Sequence, residues 1–199
     1  MLVLEDSRDR RTPTDRRGRG RRIAALTEAI EQDQVEILYQ PQFASADNRL
    51  VGAEALARWN HPRLGRIGAE ALFALAERAG RTADLTRHVV AKALATAARW
   101  PDPLRLSLNV TAADLDEDAF DEIVVAAAHR SGMALDRLTL EITEQALVTE
   151  IERSAERLEE LASRGIRIAL DDFGTGFSNF RYLKRLPLHL LKLDRSMVQ

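Results

Sequence analysis

Cysteine is absent from the 199 residues, which excludes disulfide bonds, thiolate catalysis and zinc or iron–sulfur sites held by cysteine. Aromatic residues make up only 5% of the chain, so its core must be built mainly from Leu, Ala, Ile and Val. No apolar run reaches the roughly 18 residues that a membrane-spanning helix needs. Because the N-terminus also lacks the apolar stretch of a secretory signal, we expect a cytoplasmic protein.

Charge is unevenly distributed along the chain. The first 22 residues contain eight Arg and four acidic residues, whereas the remainder is mildly acidic. Basic extensions can bind nucleic acids or membrane surfaces, but this one has no aromatic residues for base stacking and its acids are interspersed. We therefore predict a disordered basic leader over residues 1–21, without nucleic-acid binding, and one folded domain over residues 22–199.

Short apolar runs bounded by turn residues predict six β-strands, at Val35–Tyr39, Leu50–Leu56, Leu104–Val110, Leu138–Ile142, Ile166–Leu170 and Leu188–Leu193. Apolar residues at helical spacing predict helices over residues 22–33, Ala69–Ala79, Ala83–Trp100, Asp116–Arg130, Thr149–Ser163 and Ser178–Lys184. Strands that alternate with helices are typical of right-handed βαβ units, so we expect an α/β fold with a parallel sheet.

Polar side chains recur at or near the carboxyl ends of these strands. They are Gln40, Glu54, Asn109, Glu141, the adjacent pair Asp171 and Asp172, Lys192 and Asp194. At the carboxyl ends of the strands of a β/α barrel, these side chains would meet at one rim, which is where such barrels carry their sites. An open doubly wound sheet also binds ligands at its strand ends, so the pattern alone leaves both architectures open.

The candidate ligands at these strand ends all offer oxygen atoms. Oxygen-only sets suit Mg²⁺ or Mn²⁺ better than zinc or copper, and two such ions can clamp a phosphodiester. Lys192 could hold an attacking water or stabilise developing charge, and Arg58 could grip a phosphate. A single strand-end carboxylate is more often a helix cap or a solvated loop residue, so the metal interpretation depends on the whole set.

Several longer motifs resemble those of EAL-domain cyclic-di-GMP phosphodiesterases. Glu54–Leu56 within GAEALARWNHP matches the tripeptide after which this family is named. The chain also contains YQP, SLNVTAADL, LTLEITEQ, DDFGTGFSNFRYLKRLP and LKLDRSMV, in the family's order, from about Arg22 to the last residue. A second Glu-Ala-Leu at Glu70–Leu72 falls on a predicted helix and is a chance match, so the ordered set carries the resemblance rather than the tripeptide.

The resemblance implies a TIM-type β/α barrel that hydrolyses cyclic di-GMP to the linear dinucleotide pGpG with two Mg²⁺ or Mn²⁺ ions. The implied ligands of the first ion are Glu54, Asn109, Glu141 and Asp171. The implied ligands of the second ion are Asp171 and Asp172. In the same way, Lys192 would act on the nucleophilic water.

Further residues take implied roles from the same motifs. Gln40, Arg58 and Asp194 would contact the substrate. Glu144 would steady the loop Phe173–Asn179, as part of the catalytic machinery. Because that loop and the helix after it often build the family's dimer, the resemblance also implies a homodimer formed there.

The family's barrel also has parts that this sequence does not contain. It continues past the LKLDRSMV strand, and a later glutamate completes the second metal site. We therefore expect residues 22–199 to form an EAL domain that lacks its C-terminal portion and has about six of the eight barrel strands. Hydrolysis should then be impaired. The barrel would also stay open beside its last strand, next to Leu188, Leu190, Leu191 and Leu193. The alternative is a non-catalytic module that binds cyclic di-GMP or a protein partner.

Overall fold

The computed structural model describes residues 23–147, 151–174 and 184–197. Its strands are β1 (Val35–Phe43), β2 (Leu50–His61), β3 (Gly65–Ile67), β4 (Arg105–Val110), β5 (Leu138–Thr143), β6 (Arg167–Phe173) and β7 (Leu190–Leu193). Its helices are α1 (residues 23–31), α2 (Ala69–Ala79), α3 (Thr82–Ala97), α4 (Ala112–Asp116), α5 (Phe120–Ser131), α6 (Glu144–Leu147) and α7 (Ile151–Ser163). Within these residues, no helix is long and apolar enough to cross a membrane.

The strands form one sheet in the order β1-β2-β4-β5-β6-β7, with β3 attached to β2. Neighbours from β2 to β7 pair in parallel, as the alternation with helices predicts. The expectation of a parallel sheet is wrong at β1, which pairs antiparallel with β2, and the antiparallel strand β3 was not predicted. Residues 44–49 are too few for a parallel crossover between β1 and β2, whereas a hairpin needs only a short turn.

Side chains alternate between two environments along the parallel strands. On β4, Leu106 and Leu108 belong to the hydrophobic core that the sheet shares with α3, α5 and α7. Ser107 and Asn109 project from the opposite face, because successive residues of a strand point to opposite sides. The same alternation on β5 and β6 covers one face of the sheet with helices and leaves a polar inner face.

The sheet is strongly curled around this polar face. Four strand spacings of about 4.8 Å would separate β2 from β7 by about 19 Å if the sheet were flat. Nevertheless, the Lys192 ammonium on β7 lies 3.3 Å from a carboxylate oxygen of Glu54 on β2. Since β1 and β7 do not pair with each other in the described part of the chain, the architecture is an incomplete β/α barrel.

The end of β4 is shaped by a helix cap. Thr111 follows the strand and caps α4 in a reciprocal capping box with Asp114. The Asp114 carboxylate is buried and also accepts a hydrogen bond from Thr86 on α3. These contacts fix the point at which β4 ends, and therefore the position of Asn109 at the rim.

Element boundaries differ from the predicted ones mainly at strand ends. β6 runs on through Asp171 and Asp172 to Phe173, and a separate short helix, α4, precedes α5. Of the four leucines expected beside the opening, Leu190, Leu191 and Leu193 are exposed, whereas Leu188 is partly buried and packs against the core. The basic leader, most of the predicted helix Ser178–Lys184 and most of the proposed dimer loop lie outside the described residues.

Candidate metal centre

Five parallel strands each contribute one polar residue to a single cluster, which lies at or near the carboxyl ends of four of them and, on β2, near the end of the part that pairs in parallel with β4. The residues are Glu54 on β2, Asn109 on β4, Glu141 on β5, Asp171 on β6 and Lys192 on β7. Asn109 and Glu141 are direct neighbours in the β4–β5 register, and the curl of the sheet brings Lys192 back toward β2. The structure therefore brings together residues that are up to 138 positions apart in the sequence.

Three carboxylates of this cluster converge on one point. One oxygen each from Glu54, Glu141 and Asp171 lies within 4.8 Å of the others. Glu141 is 2% exposed, and Glu54 and Asp171 are partly buried. Hard oxygen donors at this spacing fit a divalent cation such as Mg²⁺ or Mn²⁺, and Asn109 at the same rim offers an amide oxygen.

Lys192 joins the three carboxylates in this structure. Its Nζ atom lies 2.5 Å from Glu141 Oε2, 2.7 Å from Asp171 Oδ2 and 3.3 Å from Glu54 Oε2. Partial burial alone would lower the pKa of Lys192, but hydrogen bonds to Asp171 and Glu141 outweigh burial and raise the pKa above its usual range. A positive charge is thus strongly favoured at the point where the carboxylates meet.

Glu141 is the most enclosed carboxylate of the cluster. Burial raises its pKa, while the hydrogen bond and charge of Lys192 oppose that shift. Its second oxygen, Oε1, accepts a hydrogen bond of 3.3 Å from the Gln42 amide on β1. The sequence analysis did not include Gln42 or Ser107 in the site. Strand periodicity could have identified both, because Gln42 is two residues after Gln40 on β1 and Ser107 is two residues before Asn109 on β4. Each pair therefore lies on one face of its strand.

Asn109 connects the end of β4 to the middle of β2. Its amide nitrogen donates a hydrogen bond of 2.7 Å to Glu54 Oε1. The other Glu54 oxygen, Oε2, faces Lys192. Both oxygens of Glu54 therefore have donors, and the carboxylate is held in one orientation.

Asp172 lies beside the cluster without belonging to the three-carboxylate group. It is exposed, and its backbone adopts a left-handed conformation (φ 53°), with its N–H donating to Asp171 Oδ1 at 2.9 Å. Burial raises the pKa of Asp172, and the charges of Asp171 and Asp194 raise it further. Asp172 therefore lies close enough to Asp171 and Asp194 for their charges to act on it, and it is more exposed than Asp171.

The expected substrate-contacting residues lie on β1, on β2 and directly after β7. Gln40 is exposed and lies directly opposite Glu54 in the β1–β2 register. Arg58 is four residues further along β2, where one of its guanidinium nitrogens donates to the Ala57 carbonyl at 2.8 Å. Asp194 follows β7 and accepts hydrogen bonds from the backbone and hydroxyl of Ser196.

Glu144 begins α6 immediately after β5 and is partly buried. The loop that it was expected to steady runs from Phe173 to Asn179, and residues 175–179 lie outside the described residues. The structure therefore locates Glu144 next to the strand that carries Glu141, and its role toward the loop remains a prediction.

The fold and the cluster define a β/α-barrel protein with a candidate divalent-cation site at the carboxyl rim. The EAL domain family matches residues 23–199, and the chain belongs to this family. Among its relatives, an uncharacterized signaling protein of Caulobacter vibrioides is 37% identical over 174 residues. The cyclic di-GMP phosphodiesterase NbdA of Pseudomonas aeruginosa is 37% identical over 177 residues.

These alignments cover 87% of this chain but only 22% and 23% of the two relatives, so the chain spans about a fifth of their length. The solved structure of the PaMucR phosphodiesterase in complex with c-di-GMP superposes with a TM-score of 0.83 at 32% identity, covering 89% of this chain and 74% of that one. The FimX EAL domain of Pseudomonas aeruginosa bound to c-di-GMP shares the fold, with a TM-score of 0.80 at 22% identity over 89% of this chain and 73% of that one. The chain is thus an EAL domain.

Proposed function

We propose that this chain binds cyclic di-GMP and hydrolyses it to pGpG with the help of Mg²⁺ or Mn²⁺. The observation that carries the proposal is the convergence of Glu54, Glu141 and Asp171 within 4.8 Å at the rim of the barrel. Kinship with NbdA and with the PaMucR phosphodiesterase supports the substrate. In the reaction, a water oxygen bonds to phosphorus, the bond from phosphorus to the 3′ oxygen breaks, and that oxygen takes up a proton.

Glu54, Asn109, Glu141 and Asp171 would hold the first cation. Asp171 and Asp172 would hold the second, because they are adjacent at the end of β6 and Asp172 is exposed. Bound cations would polarise the phosphodiester and lower the pKa of an attacking water. The protein's part is to hold these ligands in position before the substrate arrives. Glu54 is held in this way, because Asn109 and Lys192 each donate a hydrogen bond to one of its two oxygens.

We assign to Lys192 the donation of hydrogen bonds to the attacking water and the stabilisation of charge that develops on the phosphate. Its Nζ atom is the central cationic group of the cluster, which supports both roles. Gln40, opposite Glu54, would donate to the substrate, and the Arg58 guanidinium would contact its phosphate. Asp194 completes the substrate contacts, and Glu144 would steady the neighbouring loop.

A second candidate function is binding of cyclic di-GMP without hydrolysis. The second cation would rest on Asp171 and Asp172, because the one group of three converging carboxylates among the described residues belongs to the first. Two-metal chemistry needs both ions, and loss of one coordinating group can reduce the rate by orders of magnitude. We therefore expect the 199-residue chain to turn over cyclic di-GMP slowly, whereas binding at the first site is preserved.

The two functions are separated by one experiment. The purified chain is incubated with cyclic di-GMP and Mn²⁺, pGpG is followed by chromatography, and ligand binding is measured in Ca²⁺. Glu54→Gln is the test variant, and Glu159→Gln, on an exposed position of α7, is the matched control. Slow hydrolysis that Glu54→Gln abolishes supports the enzyme, and binding without pGpG supports the binding module. Absence of both in a folded protein would exclude the proposal.

A further inference from the structure

Gln42 occupies an unusual position beside the cluster. It lies near the end of β1, directly opposite Gly52 on β2. Paired residues of neighbouring strands project from the same face of the sheet, and Gly52 has no side chain to occupy the space next to Gln42. A Cβ atom at position 52 would collide with the Arg105 carbonyl oxygen, so no side chain can stand opposite Gln42 there.

The Gln42 side chain reaches two further strands. Its Nε2 atom lies 3.3 Å from Ser107 Oγ on β4 and 3.3 Å from Glu141 Oε1 on β5. The Ser107 hydroxyl is also 3.4 Å from Gln42 Oε1, so the serine can bind either end of the amide. Ser107 is 3% exposed, which makes it a fixed anchor for Gln42.

The two oxygens of Glu141 are therefore held from different sides. Oε2 faces Lys192 and the point where the carboxylates converge, whereas Oε1 faces Gln42. A carboxylate buried this deeply loses its water partners, and an unpaired oxygen would rotate toward any remaining donor. A donor on Oε1 keeps Oε2 directed at the convergence point.

We propose that Gln42, anchored by Ser107, is a positioning residue that orients Glu141 for binding a divalent cation. This inference rests on the proposed function, because it assumes that Glu141 is a ligand. Residues that hold a metal ligand in place from behind typically contribute 10- to 100-fold to metal affinity. The contribution of Gln42 should therefore be visible in cation affinity itself, independently of turnover.

The test measures Mn²⁺ binding by calorimetry on the metal-free chain, without substrate. Gln42→Met preserves the length of the side chain and removes both amide groups. Gln32→Met makes the same change on an exposed residue just after α1, whose amide contacts Glu28 and Gln34 among the described residues. Glu141→Gln reports the loss of the ligand itself, and Ser107→Ala removes a hydroxyl that hydrogen-bonds both Gln42 and Glu141.

We expect Gln42→Met to raise the Kd for Mn²⁺ about 10-fold or more, with a smaller rise for Ser107→Ala and none for Gln32→Met. A Kd within twofold of wild type in Gln42→Met, alongside lost binding in Glu141→Gln, would refute the positioning role and leave the proposed site intact. Wild-type binding by Glu141→Gln, or none by the unaltered chain, would overturn both. If Gln42→Met does not fold, the Kd of Ser107→Ala decides, and an unchanged value refutes the proposal.

Discussion

Asn109 and Glu54 are joined by a hydrogen bond of 2.7 Å from the amide nitrogen to the carboxylate oxygen Oε1. This contact connects the carboxyl end of β4 to the middle of β2 on the inner face of the barrel. The contact needs a hydrogen-bond donor on β4 and an acceptor on β2. If both positions carried carboxylates, the two negative charges would repel each other.

We therefore predict that Asn109→Asp lowers the stability of the metal-free protein by about 1–2 kcal/mol, because two carboxylates would face each other without the amide donor. Added Mn²⁺ should restore much of this loss, since a cation neutralises the extra charge. Thermal unfolding in EDTA and in Mn²⁺ measures both effects. Asn60→Asp, at an exposed position of β2, adds the same charge as a control, and an equal response from both variants would contradict the prediction.

Gly52 marks a close approach between β2 and β4. Its partner across the parallel ladder is Arg105, and a Cβ atom on Gly52 would collide with the Arg105 carbonyl oxygen. We expect Gly52→Ala to push the two strands apart and to reduce the free energy of unfolding by about 1–3 kcal/mol, as overpacking does elsewhere.

Urea denaturation is the appropriate measurement for this variant. Gly68→Ala is the control, because a Cβ atom at Gly68 would contact nothing within 4 Å and its φ of −77° suits any residue. If the two alanine variants lost equal stability, the close approach at Gly52 would not be the cause.

Arg105 and Arg167 place two positive charges on neighbouring parts of the inner face. Neither forms an ion pair with a residue in the described parts of the chain. Burial lowers the pKa of Arg167, and the charge of Arg105 lowers it further, so the charged form is disfavoured there.

For this reason, Arg167→Met should raise the free energy of unfolding by roughly 0.5 kcal/mol at low salt, with a smaller gain at high salt. Arg164→Met is the control, because the exposed Arg164, directly after α7, pairs with Glu160 at 3.1 Å. Urea titrations at two ionic strengths measure the effect, and a less stable Arg167→Met would contradict it.

The buried carboxyl of Asp114 predicts a specific pH dependence of stability. Burial raises its pKa above the ordinary value of 3.8, against the hydrogen bonds from Thr111 and Thr86. The folded state then binds the proton more tightly than the unfolded state does. The contribution of Asp114 to stability is therefore largest below pH 3.8 and decreases as the pH rises through the raised pKa.

Asp114→Asn removes this titration and retains a side-chain acceptor for the α4 cap. We expect the stability of the native protein, relative to this variant, to fall as the pH increases from 3 to 7. Denaturant unfolding of both proteins across that range measures the difference. A relative stability that rises with pH would show that the hydrogen bonds outweigh burial.

Much of the site could be predicted from the sequence because strand periodicity is local. The alternation of apolar and polar residues on β4 and β5 identifies which side chains leave the core, and therefore places Asn109 and Glu141 at the rim. The ordered motifs predicted the EAL family, which the match over residues 23–199 confirms. Parallel pairing from β2 to β7 also followed from the alternation of helices and strands.

Other features depend on distances that no local pattern contains. The antiparallel pairing of β1 places Gln42 opposite Gly52, and only the curl of the sheet brings its amide to Glu141. The same curl, rather than any spacing in the chain, carries Lys192 from β7 to Glu54 on β2. The sequence by itself determined the donors and the strands that carry them. The tertiary structure decided which oxygens face one another, because the accumulated curvature of successive strand pairs sets the distance between the first and last of them.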